Sequence, residues 1–292
     1  MDGKVVGQRR TSWLKQAGIY AWRNRWLTLL GRAALHTPVL GQALRGVKRR
    51  VFPPGERVWV RVDSGMAQGL WLQADPYREQ EYLRGNMEPE VQEAIRTYLK
   101  PGDCFFDVGA HVGLYSLIAS RVVGIDGCVV AFEPDPRNVQ LLREHVIRNG
   151  LSNVSIEEAA VWRSDGEVPF LRGGSTPMGK SSRRGAVIEP GAAPATGDTI
   201  SIRAVSLDRY AADGYAPSLV KVDVEGAECE VLKGAEKLLA KAKPALICEV
   251  HHEAAATFMA EFLPTKDYAL RWTPQRYQFP FPRYLVAVPS HF

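Results

Sequence analysis

The sequence predicts an α/β fold: a Rossmann-like, doubly wound, mostly parallel sheet carrying an N-terminal helical extension. Three observations predict it. Short apolar runs at 104–108, 128–132, 154–158, 218–224 and 244–250 alternate with helical stretches, the pattern of a sheet covered on both faces. The first run leads into a glycine turn, Asp107-Val108-Gly109-Ala110-His111-Val112-Gly113. The runs also end in acids: Asp107, Glu133, then Asp223 with Glu225, then Glu249 followed by His251. Ligands of such sheets bind outside the carboxyl ends of the strands, so the topology gathers these side chains at one edge.

Residues 1–55 are expected to form a basic amphipathic extension, and 56–292 the main domain. Residues 1–50 hold eleven basic side chains and one acid, Asp2, a net of +10 in a chain whose total is +5. The rest therefore carries −5, which argues against a nucleic-acid partner. Trp22, Trp26, Leu29, Leu30 and Ala33 recur at helical spacing within 13–35, among Arg23, Arg25 and Arg32. Such a helix either lies peripherally on an anionic membrane surface or packs on the main domain with a solvated basic face; a mitochondrial transit peptide is the third reading. No run reaches the roughly 20 apolar residues of a membrane span, and a secretory signal fits poorly, so a cytoplasmic location is expected.

Within 56–100, alternation such as Val58-Trp59-Val60-Arg61-Val62 predicts a hairpin, and Glu88 to Leu99 a helix. Residues 172–200 are rich in Gly, Ser, Pro and Arg without periodicity, which predicts an insertion or a mobile loop, with a lid as one use of it. The flanking Val168–Leu171 and Ile200–Arg203 are expected to pair as an added hairpin. Tyr268–Trp272 and Tyr284–Val288 supply the last, partly antiparallel strands. Cysteines 104, 128, 229 and 248 form no Cys-x-x-Cys pair; buried free thiols in a reducing compartment are expected.

The glycine turn and the acid-tipped second strand make a nucleoside half-site. Gly109 permits a tight turn and close approach of a ligand, Gly113 lets the next helix sit near the strand, and Glu133 suits ribose hydroxyls. A dinucleotide fingerprint needs a second glycine where His111 stands, because a pyrophosphate must reach the helix N-terminus. S-adenosylmethionine carries no phosphate, and Asp107 suits its cationic ammonium and sulfonium. The residues favour S-adenosylmethionine, with a nicotinamide cofactor or a non-catalytic scaffold as the alternatives.

Four blocks resemble the FkbM family of S-adenosylmethionine-dependent methyltransferases: Glu88-Pro89-Glu90, the 107–113 turn, Phe132-Glu133-Pro134, and Lys221-Val222-Asp223-Val224-Glu225-Gly226-Ala227-Glu228. The last is the specific one, and His111, often Asn in that family, departs mildly. The resemblance spans about residues 80–250. It implies a class I methyltransferase fold and O-methylation of a hydroxyl on a sugar, glycolipid or secondary metabolite. By the same resemblance, Gly109, Ala110 and Gly113 shape the methionine end of the pocket, Glu133 and Pro134 the ribose end, and Ala159 and Ala160 the adenine end; Glu88, His111 and Asp223 complete the cofactor site.

Methyl transfer is an in-line displacement governed by alignment, but a hydroxyl acceptor must also lose a proton. Asp223 is the first candidate base and His251 the second. Asp223 alternatively caps the following helix, Glu225 caps it or pairs with Lys221, Glu88 is alternatively a first-turn helix acid, and His252 is an ordinary loop histidine. Glu225 and Arg172 are the candidate acceptor contacts, with Arg183 and Arg184 nearby. Asp223, Glu225 and His251 form a chemically reasonable magnesium or manganese set, yet their spacing does not demand one, and no metal is expected.

Overall fold

The computed structural model describes residues 56–75, 79, 82, 84–85, 87–175, 181–182, 185–189, 196–274 and 281–290. The expected basic helix at 13–35, and Arg183 and Arg184, lie outside them. The chain divides into two compact units, Met1–Met87 and Glu88–Phe292, so the hairpin expected in the main domain falls in the first unit.

In that first unit, β1 (Val58–Arg61) pairs antiparallel with β2 (Trp71–Ala74). Alternation places Val58, Val60, Leu72 and Ala74 on the buried face. Arg57 forms an ion pair with Glu79 and also donates to the Gln73 carbonyl at 2.9 Å.

The second unit opens with α1 (Pro89–Tyr98), then β3 (Cys104–Val108), α2 (Leu114–Val123), β4 (Cys128–Phe132), α3 (Pro136–Asn149) and β5 (Val154–Glu157). An appended sheet follows: β6 (Ala160–Val161), β7 (Gly166–Ser175), β8 (Ser181–Ser182), β9 (Ala186–Val187) and β10 (Thr196–Val205). After α4 (Leu207–Ala212) come β11 (Leu219–Val222), α5 (Glu228–Lys233), α6 (Glu236–Lys241), β12 (Ala245–Val250), α7 (Glu253–Phe262), β13 (Tyr268–Trp272) and β14 (Arg283–Pro289).

The main sheet has seven strands in the order β13-β14-β12-β11-β3-β4-β5. β12, β11, β3, β4 and β5 are mutually parallel, and β14 lies antiparallel between β12 and β13. The five apolar runs thus form strands within two residues of their expected ends. β3 is buried at every position, as a central parallel strand between two helical layers must be. Behind it Phe106, Phe132 and Tyr210 meet edge-on, with centroids 5.0–6.0 Å apart.

Local sequence starts and stops the helices. Asp135 caps α3 by accepting from the Arg137 N–H at 2.9 Å, Pro136 fits the first helical turn, and Gly150 ends it at φ 65°. His252 caps α7, its Nδ1 accepting from the Ala255 N–H at 3.1 Å while its Nε2 faces the Gly226 carbonyl at 3.2 Å.

Two expectations are corrected. Residues 172–200 are not uniformly loop: β7 and β10 pair antiparallel from Gly166↔Ala204 to Ser175↔Thr196, and β8 and β9 add to β7. The expected hairpin is the base of this longer ribbon; serine and glycine hid it because neither gives a hydrophobic period. Nor are all four thiols free. Cys104 and Cys128 begin neighbouring strands in register, with Cα atoms 4.5 Å apart, and form a disulfide. Cys229 and Cys248 are free. The reducing compartment argued from four free thiols loses that support.

Candidate active site

The order of the main sheet reverses between β3 and β11. From β3 the chain winds outward through β4 and β5, then returns to β11 on the other side. Loops leaving these two strands open a crevice at their carboxyl ends.

The loop after β3 is fixed by its backbone. The Gly109 and Ala110 N–H groups both donate to the Phe132 carbonyl, at 3.0 and 2.9 Å. Gly109 has φ 76°, and a β-carbon there would stand 1.9 Å from the Asp223 carbonyl oxygen, so only glycine fits. His111 follows with φ 52°. Its N–H donates to Glu133 Oε2 at 2.7 Å, while Glu133 Oε1 accepts from the Asp135 N–H at 2.9 Å and Asn138 Nδ2 at 3.1 Å. Burial raises the Glu133 pKa to about 7 against the lowering effect of these hydrogen bonds. A carboxylate offers about four acceptor positions; three are occupied here, leaving one for a ligand.

Gly109, His111, Glu133 and Pro134 line one side of a pocket, and Asp223 and Glu225 line another. Ala159 and Ala160 stand on its wall too. Sequence reasoning missed the remaining apolar surface: Phe132, Val161, Phe170 and Val224, with Gly185, Ala186 and Val187 at β9. Phe132 and Val224 adjoin quoted motifs and were within reach. The β9 residues reach the site only through their pairing with Phe170 and Leu171, and no local pattern announces that.

The other expected residues stand outside this lining. Asp107 is fully buried and accepts from Ser116 Oγ at 2.6 Å, while Lys221 Nζ lies 3.1 Å from its Oδ1. It supports the loop and does not present its carboxylate to the pocket. Ala110 is buried, and Gly113 starts α2 at φ 88°, where a β-carbon would meet Leu142 Cδ1 at 2.0 Å. The Gly113 constraint is thus packing against α3 and not against the strand. Glu88 precedes α1 at φ 39° with no side-chain cap, and its charge reaches Lys221 and Tyr284. Arg172 faces Asp198 across the β7–β10 ribbon at 3.5 Å.

Lys221 is the electrostatic centre. Its ammonium donates to the Gly109 carbonyl at 3.0 Å and stands 3.8 Å from Asp223 Oδ2. Burial pushes its pKa down, but Asp107, Asp223 and Glu88 outweigh that and leave it above the ordinary lysine value. Asp223 does not cap α5; the Gly226 N–H donates instead to Glu228 Oε1 at 2.8 Å. Glu225 has φ 54° and faces His251 Nε2 at 3.6 Å, not Lys221. His251 Nδ1 is 2.6 Å from Glu228 Oε1. Burial opposes charge on this ring, yet Glu228, Asp223 and Glu249 together raise its pKa to about 10. With its Nδ1 held on Glu228, His251 stands beside Asp223 but outside the pocket lining, whereas Asp223, the first candidate base, is part of that lining. Glu249, seen in the sequence only as a strand-end acid, joins Asp223 and His251 in one cluster.

The sheet order, with its reversed penultimate strand and its acids at the switch point, defines a class I methyltransferase fold. Residues 107–270 match the methyltransferase FkbM domain, and the chain belongs to the FkbM methyltransferase family. It is 30% identical over 224 residues to the 31-O-demethyl-FK506 methyltransferase FkbM of Streptomyces tacrolimicus, a match covering 68% of this chain and 80% of that one. It is 31% identical over 179 residues to the hexuronic acid methyltransferase AglP of Haloferax volcanii, covering 58% and 64%. A shorter match, 37% over 86 residues, joins it to a probable cobalt-precorrin-6B C(15)-methyltransferase (decarboxylating) of Sulfolobus acidocaldarius, covering 27% of this chain and 45% of that one. Among solved structures, methyltransferase FkbM from Methylobacillus flagellatus KT superposes with a TM-score of 0.45 at 18% identity, covering 67% of this chain and 50% of that one.

Proposed function

We propose that this protein transfers a methyl group from S-adenosylmethionine to a hydroxyl of a sugar, glycolipid or secondary metabolite. Family membership supports the methyl transfer and speaks against the nicotinamide and scaffold alternatives. The name of one relative, a 31-O-demethyl-FK506 methyltransferase, supports an oxygen acceptor on a secondary metabolite, and that of another, a hexuronic acid methyltransferase, supports a sugar acceptor. The observation that carries the reading is that Glu133 and Asp223 share one pocket whose lining is largely apolar.

The residues fit the cofactor. Backbone comes close at Gly109, Glu133 keeps an acceptor position for a ribose hydroxyl, and Ala159, Ala160, Val161 and Phe170 offer an apolar wall to an adenine. S-adenosylmethionine supplies an electrophilic methyl group on a sulfonium. Asp223 is the base: it accepts the acceptor's hydroxyl proton, held in place by Lys221. Glu225, in the same lining, orients the acceptor.

The acceptor side includes a membrane. Residues 13–35, with Trp13, Trp22 and Trp26 among arginines, hold the chain on an anionic cytoplasmic surface where a glycolipid is presented. Intact protein is expected to sediment with phosphatidylglycerol vesicles at low salt, and no sedimentation would remove this part.

The first experiment is calorimetric titration with S-adenosylmethionine and S-adenosylhomocysteine, repeated on Glu133→Ala. Binding that collapses in the variant supports the site. No binding to the unaltered protein overturns the reading.

A further inference from the structure

The side chains gathered beyond β11 and β12 exceed what proton transfer by one acid requires. His251 Nε2 stands 3.8 Å from Asp223 Oδ1, 3.6 Å from Glu225 Oε2 and 4.0 Å from Glu249 Oε2. One ligand atom each from Asp223, Glu249 and His251 lies within 4.8 Å of the others. Atoms that share one cation at about 2.1 Å stand roughly 3 Å apart at right angles and roughly 4.2 Å apart across it. The three distances from His251 fall inside that range. The far nitrogen of the imidazole is held by the fully buried Glu228, the arrangement that fixes the orientation of a metal-binding histidine and raises its basicity.

Charge points the same way. Five carboxylates, Asp107, Asp223, Glu225, Glu228 and Glu249, meet one ammonium, Lys221, and one imidazole, His251, in this network. Excess negative charge in a partly enclosed site is costly unless a cation offsets it.

A second, independent observation comes from β14. Tyr284 lies opposite Glu249 in the β12–β14 register, so the two side chains share a face. It is 5% exposed and its hydroxyl has no hydrogen-bond partner among the described residues. Burial first, then the charges of Glu88, Glu249 and Asp223, oppose its ionisation, which places the hydroxyl among the same carboxylates. A buried hydroxyl without a partner is costly. A water on a bound ion would satisfy it.

We propose that Asp223, Glu249 and His251 bind a divalent cation of the manganese or ferrous kind, with Glu225 closing the set. One imidazole among carboxylates selects such an ion: the oxygens suit manganese and magnesium, the nitrogen favours a transition metal, and none of the three ligands is a thiolate that would draw a softer one. The site shares Asp223 and Glu225 with the pocket assigned to the methyl donor, but it is argued from the geometry of its own ligands, so the inference does not rest on the identity of that donor.

Full-length protein, stripped with a chelator and dialysed, is titrated with manganese chloride while free Mn²⁺ is read by electron paramagnetic resonance. One ion per chain is expected. Glu249→Gln and His251→Gln should each weaken binding by about tenfold or more, and Glu189→Gln, an exposed acid paired with Arg163, should leave it unchanged. Circular dichroism checks that each variant folds. Absence of Mn²⁺ binding to the unaltered protein overturns the proposal whatever the variants do, as does binding that both substitutions leave intact. Titration with S-adenosylmethionine on the same sample separates the two readings. Protein that binds the cofactor but no Mn²⁺ keeps methyl transfer and loses the cation site; Mn²⁺ bound without the cofactor does the reverse.

Discussion

The Asp223 carbonyl oxygen stands 1.9 Å from where a β-carbon on Gly109 would be built. Two motifs more than a hundred residues apart therefore meet backbone to backbone. Gly109→Ala must push the loop off β11 or strain a residue held at φ 76°, at a cost of about 1–3 kcal/mol. A lower melting temperature together with weakened S-adenosylmethionine binding is expected. An unchanged melt would show that the loop yields easily.

Glu133 gives a pH signature. Folding raises its pKa from 4.5 to about 7, so the folded state favours the protonated form. The stability this group confers is full below pH 4.5 and is lost as pH rises through 7. The ionised form is the better acceptor for ribose hydroxyls, so cofactor affinity should rise over the upper part of that range. Glu133→Gln, which cannot ionise, should flatten the affinity profile. A parent profile already flat between pH 6 and 8 would contradict the assignment.

Asp223→Asn should keep the fold and bind S-adenosylmethionine while turnover falls by about 10²–10⁴-fold, the usual contribution of a positioned base. Single-turnover kinetics with a saturating acceptor reads this directly. Turnover at the parent rate would remove the proton-transfer role.

Lys221→Met should be the most destabilising of these substitutions. It leaves Asp107 and Asp223 without the ammonium that stands 3.1 and 3.8 Å from them. Removing one partner from a buried charge network costs about 3–5 kcal/mol. Urea unfolding compared with Lys237→Met, on α6, measures the difference.

Denatured protein should show two reactive thiols without reductant and four with it, since Cys104 and Cys128 are paired while Cys229 and Cys248 are free. Closing a loop of 24 residues contributes roughly 3 kcal/mol in the chain-entropy account. Reductant should therefore lower the melting temperature of the parent and leave that of a Cys104→Ser, Cys128→Ser double variant unmoved.

What was legible in the sequence was local. Apolar runs such as Cys104–Val108 and Cys128–Phe132 carry their own period and end on glycine or acid, so strands and strand-end acids could be read from neighbours in the chain. Contacts that depend on register could not. The Cys104–Cys128 pair becomes visible only when β3 and β4 lie side by side. Tyr284 beside Glu249 needs the β12–β14 register, and Ala186 and Val187 enter the pocket wall only by pairing with β7. The orientation of His251 depends on its contact with Glu228, which the sequence offered only as the end of a motif.

One ammonium, that of Lys221, holds the Gly109 carbonyl on one side and Asp223 on the other. The loop assigned to the donor and the acid assigned to the acceptor thus share an anchor, and neither can shift without loading the other. Substitution of Lys221 should therefore loosen the donor loop and the acceptor acid together. The two halves of the crevice have one support in common.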